Sequence, residues 1–308
     1  MGANHLTIIP PFTIMLPTLA SKHRSFSSVR LPWRLSRPVL SHFNLPQGNF
    51  SFQSFRFRPL TTTASSHSGS KQDLFSYTTG RYLYNEHIRL AERYVEFNIG
   101  ALEAVAVRSV DRKKVVHTSK LAEGGFNRIF LLTMDDGFEV IAKIPFPLTV
   151  PKKLTTESEV ATLDLLRRKG IPVPRVYAYS STDDNPVGSE YILMEKAPGK
   201  PLTSRWFELT PRERVSLVVS FVEIEKKLFD IPFGSYGSLY YKDNLPSSRS
   251  DLYASPNDTN EKFCIGPSAD HMFWRGRHGE LDLNRGPCTF PLPCPNSTWI
   301  SPLNRERT

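Results

Sequence analysis

One lysine within an apolar stretch is the residue best suited to chemistry. Lys143 ends the sequence Val-Ile-Ala-Lys at residues 140–143, which matches the type of strand whose lysine holds the α- and β-phosphates of a nucleotide. An ammonium group beside Ile141 is costly to bury unless an acidic partner reaches it. Glu159, or Glu157 on the same helical turn, is the expected partner, because a carboxylate on the next helix orients such a lysine. The alternative is a lysine on an edge strand that points to solvent.

A loop with two glycines precedes this lysine. Gly124 and Gly125 stand between two predicted strands, and Asn127 follows them, sixteen residues before Lys143. Glycines in such a lid let backbone N–H groups approach phosphates closely. A plain hairpin turn also explains two glycines, so the prediction depends on the order and spacing of the loop and the lysine.

A second turn falls where a hinge between two lobes would lie. The stretch Leu-Met-Glu-Lys-Ala-Pro-Gly at residues 193–199 runs from a predicted strand into a Pro-Gly break. Its backbone would meet the adenine ring of ATP, with Met194 or Glu195 near the base. The predicted nucleotide-binding residues are Gly124, Gly125, Asn127, Lys143, Glu159, Met194 and Glu195.

The hydrophobic pattern predicts the scaffold that would position these residues. A helix is predicted over residues 155–169, after the third of five strands and before the fourth. The Asp-Asp-Gly sequence at 135–137 predicts the turn between the second and third strands. The predicted strands are 115–121, 128–134, 138–144, 173–179 and 190–196. This order predicts an α+β fold with a five-stranded antiparallel sheet and one helix, the arrangement of a kinase N-terminal lobe.

Helical patterns flank the predicted sheet. One covers residues 84–110 with a break at Gly100. The other begins at Thr210, where an N-cap, a proline and a capping-box glutamate follow one another, and it extends to Phe229. Its valine stripe predicts that it buries one face. Residues 234–265 are predicted to be mainly loop, with one or two short elements.

Charge is distributed unevenly along the chain. Of the 39 Lys and Arg residues, eight lie in residues 1–72, a segment without Asp or Glu. The remainder is close to neutral, so the basic pI does not indicate a nucleic-acid surface. An Arg-rich, Ser-rich and acid-poor segment predicts a mitochondrial transit peptide. The alternatives are a disordered basic tail and a secretory signal, the latter disfavoured by three prolines among the first 17 residues.

The cysteine count and the hydropathy exclude two further classes of protein. The three cysteines lack the CxxC spacing of a zinc site, so free thiols in a reducing compartment are predicted. No run approaches the roughly 18 apolar residues of a membrane span.

Several motifs in combination resemble the fungal branch of the aminoglycoside phosphotransferase-like family. The resemblance covers about residues 75–287, and its most specific segments are 79–86, 121–134, 190–202 and 263–267. It implies a mitochondrial protein with a kinase-like fold that uses ATP with Mg²⁺. When this resemblance is combined with the sequence patterns, the predicted organisation is a disordered presequence (1–72), a helical segment (73–110), a kinase-like N-lobe (111–200), an incomplete helical C-lobe (201–287) and an irregular tail (288–308).

The chain departs from the family's phosphotransfer pattern. It contains no His-x-Asp sequence followed by a spaced Asn and a later metal-binding Asp. The nearest match, His278-Gly-Glu280, has Glu where the motif requires Asp and is interpreted as coincidence. The tail at residues 288–308 resembles a retained intron or a shifted frame, and the alternative is a disordered terminus. We therefore expect a truncated, inactive phosphotransferase that binds ATP weakly. The alternative is a non-catalytic pseudokinase-type module in mitochondrial maintenance, with an unidentified protein partner on the surface that faces the C-lobe.

Overall fold

A five-stranded antiparallel sheet is the central element of the protein. The computed structural model describes residues 74–245, 251–252 and 262–289, so the predicted presequence and most of the predicted tail lie outside the described residues. The strands are β1 (Val115–Glu123), β2 (Asn127–Met134), β3 (Glu139–Pro145), β4 (Val176–Ser180) and β5 (Tyr191–Glu195). Their spatial order is β1-β2-β3-β5-β4. The predicted kinase-like sheet is confirmed.

Helices lie on both sides of this sheet in the chain order that was predicted. They are α1 (Glu86–Ala91), α2 (Ile99–Val110), α3 (Leu154–Arg168), α4 (Pro211–Phe229) and the short α5 (Arg277–Glu280). The helical pattern predicted over 84–110 is interrupted at residues 92–98 and not at Gly100, because the Asn98 side chain caps α2 by accepting a hydrogen bond from Ala101 N at 3.0 Å. Gly100 therefore lies in the first turn of α2. None of the described helices is long and apolar enough to cross a membrane.

The two faces of the sheet are packed differently. In β2 and β3 every second residue is fully buried and the residues between are half-buried. The fully buried set, which includes Phe130 and Ala142, packs against Leu102 and Ala106 of α2. On the opposite face, Val160 of α3 packs near the buried β5 residues Ile192 and Met194. The sheet thus lies between α2 and α3.

Five short strands follow α4 in the described residues: four lie in the region predicted to be mainly loop with one or two short elements, and the fifth lies at the start of the predicted irregular tail. They are β6 (Ser235–Tyr236), β7 (Ser238–Tyr241), β8 (Asp251–Leu252), β9 (Phe263–Gly266) and β10 (Cys288–Thr289). A three-stranded sheet has the order β7-β9-β8, and β6 pairs with β10. Leu239, Phe263 and Ile265 join Leu163 and Leu166 of α3 in a second apolar cluster. This cluster fixes the side of α3 that faces away from the five-stranded sheet.

Helix α4 begins as predicted but is packed differently. Both hydrogen bonds of the capping box between Thr210 and Glu213 are present. The prediction that its valine stripe is buried is wrong for the described residues, because no residue of α4 is fully buried. Ile224 and Leu228, on the adjacent side, carry the contacts of the helix with the second apolar cluster.

The predicted state of the cysteines is correct for one residue and wrong for another. Cys264 is buried and keeps its thiol, outside any disulfide. Cys288 is disulfide-bonded, whereas three free thiols were predicted. An odd number of cysteines disfavours a disulfide framework but still permits one bond, with one thiol left over.

Candidate functional site

Lys143 lies on a central strand and not at an edge of the sheet. Its strand, β3, pairs with β2 on one side and with β5 on the other, and the Lys143 side chain is 17% exposed. Its Nζ donates a hydrogen bond to Oε1 of Glu159 at 2.6 Å and also contacts Oε2. The carboxylate of Glu159 thus supplies the acidic partner that a lysine in this half-buried position requires.

The position of α3 determines which glutamate pairs with Lys143. Glu157 is buried and accepts a hydrogen bond from Ser181 Oγ at 2.9 Å. Burial raises the pKa of Glu157, although the Ser181 hydroxyl opposes that shift. Glu159, 29% exposed, is the carboxylate that reaches Lys143. The structure therefore distinguishes two glutamates that the sequence left as alternatives.

Glu190, which the sequence analysis missed, ties the start of α3 to the sheet. Its Oε2 accepts a hydrogen bond from Thr156 Oγ1 at 2.7 Å, and its Oε1 accepts one from Lys153 N at 3.1 Å. Because Glu190 immediately precedes β5, these bonds fix the first turn of α3 near the strand that pairs with β3. No local pattern indicates these bonds, since the partners are more than 30 residues apart.

The glycine loop is a three-residue connection between β1 and β2. Gly124 N donates to Asn127 O at 2.8 Å, which closes the turn. The carbonyl of Phe126 accepts hydrogen bonds from Phe146 N at 2.8 Å and Thr149 Oγ1 at 2.6 Å. A side chain added at Gly125 would meet nothing within 4 Å. The turn is thus held from the β3 side, while its outer backbone stays open to a ligand.

The loop, the lysine and the hinge lie in sequence along β3. Asn127 pairs with Pro145, Ile129 pairs with Lys143, and Val140 pairs with Glu195. Five residues of strand, about 17 Å, separate the two ends of this series. The glycine loop therefore lies beyond Lys143 at one end, and the hinge lies at the other.

A buried ion pair that the sequence analysis missed supports the base of the glycine loop. Arg128, with no exposed side-chain surface, donates from Nε to Glu123 Oε1 at 2.9 Å. It also donates to the carbonyl of Phe75 at 2.8 Å and of Arg93 at 3.2 Å. The sequence signal was available, because Glu123 and Arg128 flank the turn symmetrically and face each other across the hairpin.

Glu123 is also the anchor for the chain segment that precedes α1. Its Oε2 accepts hydrogen bonds from Thr78 N and Thr79 Oγ1, both at 2.8 Å. Burial acts to raise the pKa of Glu123, but the hydrogen bonds from Thr78, Thr79 and Arg128 outweigh it and hold the pKa below its ordinary value. The ionised carboxylate thus joins the N-terminal segment to the glycine-loop hairpin.

An apolar panel lies on the same face of the sheet as Lys143. Cross-strand pairing places Ile129 beside Lys143, Leu131 beside Ile141, and Ile141 beside Met194. The first three apolar side chains are half-buried, whereas Met194 is almost fully buried. Sequence reasoning missed Ile129 and Leu131, although the alternation in β2 indicates which of its residues share the face of Lys143.

The structure does not bring the side chain of Glu195 to Lys143. The Glu195 carboxylate accepts a hydrogen bond from Arg175 N at 3.0 Å and lies 3.5 Å from Arg167 Nη1. The backbone N of Glu195 donates to the carbonyl of Arg175 at 2.8 Å. Among the described residues, no group of three or more His, Cys, Asp and Glu side chains is arranged to hold a metal ion.

Comparisons with known proteins agree with the resemblance found in the sequence. Residues 117–255 match the phosphotransferase enzyme family APH. A subtelomeric hrmA-associated cluster protein of Aspergillus fumigatus is 46% identical over 181 residues, which are 56% of this chain and 34% of that protein. Altered inheritance of mitochondria protein 9, mitochondrial, of Yarrowia lipolytica is 30% identical over 244 residues, 71% of this chain and 42% of that protein.

This chain spans less than half the length of these relatives. A solved structure of APH(2″)-IIia with GDP and kanamycin is a weak match, with a TM-score of 0.34 and 17% identity over 42% of this chain and 41% of that one. The sequence matches and the confirmed sheet agree on one family. The chain is therefore similar to the APH phosphotransferase family over residues 117–255, and it is also similar to the altered inheritance of mitochondria 9 proteins.

Proposed function

We propose that this chain supplies the nucleotide-binding lobe of an ATP-dependent, phosphotransferase-type mitochondrial protein. The observation that carries the proposal is the pairing of Lys143 with Glu159 on the half-buried face of a central strand. In this proposal the ammonium of Lys143 contacts the α- and β-phosphates of ATP. Glu159 holds the lysine in place, so that little side-chain entropy is lost when the nucleotide binds.

The residues around Lys143 also suit the phosphate oxygens and the base of a nucleotide. The open backbone at Gly125 lies beyond Lys143 and can donate to phosphate oxygens, whereas the N–H of Gly124 already bonds Asn127 O. Ile129 and Ile141 offer an apolar surface to the flat face of a base, near the backbone of Met194. Asn127 and Glu195 mark the two ends of this surface. ATP is therefore the ligand that this arrangement fits best.

Phosphate transfer is proposed for the whole protein and not for this chain alone. In kinase-type enzymes bound Mg²⁺ neutralises the developing phosphate charge, and an Asp positions the attacking hydroxyl. The described residues contain no evident group of metal ligands, and the 308-residue sequence contains no His-x-Asp. We propose that this chain binds nucleotide weakly and does not transfer phosphate by itself.

The mitochondrial part of the proposal rests on two independent observations. Three relatives at 27–30% identity carry names that describe them as mitochondrial. The first 72 residues also have the Arg-rich, acid-free composition of a transit peptide.

A non-catalytic pseudokinase-type module in mitochondrial maintenance is the second candidate. The exposed apolar side of α4 supports it, since such a surface suits a protein contact. The two candidate functions are distinguished by whether the protein hydrolyses or transfers phosphate from ATP. Phosphate release from ATP that Lys143→Ala abolishes favours the enzyme, and nucleotide binding without release favours the module.

Titration of the full chain with a fluorescent ATP analogue tests nucleotide binding. Lys143→Ala is expected to weaken binding at least tenfold, because it removes the charge that faces the phosphates. Lys152→Ala is the matched control, since Lys152 is an exposed lysine nine residues away in the chain. Equal affinities of the two variants would exclude Lys143 from the site.

A further inference from the structure

The glycine loop contacts a residue that follows the three-stranded sheet. Phe126, the last residue of the loop, lies against His271, with the two ring centroids 4.9 Å apart and the ring planes at 59°. Rings at this separation attract each other beyond the area that they bury. Nδ1 of His271 is buried and has no hydrogen-bond partner among the residues that the structure describes. The imidazole therefore acts on the loop through ring packing.

The segment that carries His271 is held together by an arginine. We call residues 267–286 the clasp segment, in which His271 begins a 3₁₀ helix that ends at Phe273. The guanidinium carbon of Arg285 lies 4.0 Å from the ring centroid of Trp274, and Arg285 Nε donates to the carbonyl of Phe273 at 3.1 Å. These contacts hold the short helix from its C-terminal end, so the position of His271 is fixed within the clasp segment.

The clasp segment is joined to β7 of the three-stranded sheet. The hydroxyl of Tyr240 donates to the carbonyl of Pro267 at 2.7 Å. The backbone N of Ala269 donates to Ser238 Oγ at 2.8 Å. Since Ser238 and Tyr240 both belong to β7, the start of the clasp segment is fixed to that strand on both sides of its first turn.

The same sheet contacts α3, the helix that carries Glu159. The carboxylate of Asp164 in α3 accepts a hydrogen bond from Tyr241 Oη, at the end of β7, at 3.0 Å. It also accepts one from Lys262 Nζ, directly before β9, at 2.7 Å. The second apolar cluster joins β7 and β9 to α3 as well. One continuous set of contacts thus links the helix that orients Lys143, the three-stranded sheet, the clasp segment and the glycine loop.

We propose that the clasp segment holds the glycine loop in place for the phosphates of a nucleotide, with His271 as the positioning residue. This inference rests on the proposed function, which makes ATP the ligand of the loop. A loop that is ordered before the ligand arrives loses less conformational entropy on binding. Because the three-stranded sheet also holds α3, the loop and the partner of Lys143 keep a fixed relation to each other.

Hydrogen exchange of the backbone amides at residues 124–128, measured without nucleotide, tests the contact itself. His271→Ala is expected to speed exchange there about threefold to tenfold, because it removes the ring that packs on Phe126. His117→Ala is the matched control, since His117 is an exposed histidine on β1, and it should leave this exchange unchanged. Unchanged exchange in His271→Ala would overturn the proposal.

Titration of the full chain with a fluorescent ATP analogue tests whether the contact serves the nucleotide site. Phe126→Ala and His271→Ala are each expected to weaken binding about threefold to tenfold. The double variant should lose no more than either single variant, because both substitutions remove the same contact. His271→Phe is expected to keep the wild-type affinity, since a phenyl ring retains the packing and Nδ1 has no hydrogen bond to lose.

The outcomes separate this inference from the proposed function. Additive losses in the double variant, or a loss in His271→Phe as large as that in His271→Ala, would overturn the role of His271. Wild-type binding that neither alanine variant weakens would overturn this inference and leave the proposed function intact. Absence of ATP binding by the wild type would overturn the proposed function and this inference with it.

Discussion

Replacing Glu123 with glutamine tests how the glycine loop is held in place. The substitution keeps the size of the side chain and an acceptor oxygen but removes the charge that faces Arg128 at 2.9 Å. Because Arg128 has no exposed side-chain surface, its guanidinium would remain buried without a counter-charge. Removing one partner of a buried ion pair costs about 3–5 kcal/mol.

The structure favours the lower end of that range. Arg128 would keep its hydrogen bonds to the carbonyls of Phe75 and Arg93 and its position over the ring of Phe146, 5.1 Å from the centroid. We therefore expect Glu123→Gln to lower the free energy of unfolding by about 3 kcal/mol. For a folded region of this size, that corresponds to a fall in Tm of roughly 6–12 °C.

Thermal and urea unfolding of the full chain, followed by circular dichroism at pH 7, measures this effect. Glu86→Gln is the control, because it removes the exposed ion pair with Arg81 and is expected to lower the stability far less than Glu123→Gln. The double variant Glu123→Gln, Arg128→Met is expected to be more stable than Glu123→Gln alone, since it also removes the buried guanidinium that has lost its counter-charge. A loss no larger than that of Glu86→Gln would refute the role assigned to the buried pair.

Two further predictions concern acidity and import. Glu123 has a pKa below its ordinary value, so its contribution to stability is present above the unfolded-state pKa of about 4.3 and is lost as the pH falls through the folded-state pKa. Between pH 5 and pH 2 the free energy of unfolding of the wild type should therefore fall more steeply than that of Glu123→Gln, and parallel curves would contradict this reasoning. Residues 1–72 fused to a fluorescent reporter should enter mitochondria, and a diffuse cytosolic signal would contradict the transit-peptide hypothesis.

Local sequence patterns were sufficient to predict the sheet and its helix. Alternating burial along β2 and β3, the Asp-Asp-Gly turn and the caps of α4 are local features, and each is present in the structure. The bounds of α2 were missed because the cap at Asn98 competes with a helical hydrophobic pattern that continues on both sides of it. The hydrophobic pattern alone contains no information about that single side-chain hydrogen bond.

Contacts between distant segments could not be predicted in the same way. Arg128 reaches backbone carbonyls 35 and 53 residues away, and Glu190 holds a helix that begins 36 residues earlier in the chain. The exposure of the valines on α4 is also a tertiary property, because a helical stripe shows which side is apolar and not what covers it. The pairing of Lys143 with an acid was predictable from residue types, whereas the choice of Glu159 over Glu157 required the rotation of α3.

Labelling with an acyl-phosphate derivative of ATP tests the central claim most directly. Such a reagent transfers its acyl group to a lysine that lies against the bound phosphates, and mass spectrometry of the digested chain then identifies that lysine. We expect Lys143 to be acylated, and excess ATP to suppress its labelling while leaving that of exposed lysines such as Lys152 unchanged. Absence of label at Lys143, or labelling that ATP does not suppress, would contradict the claim that this face of the sheet binds nucleotide.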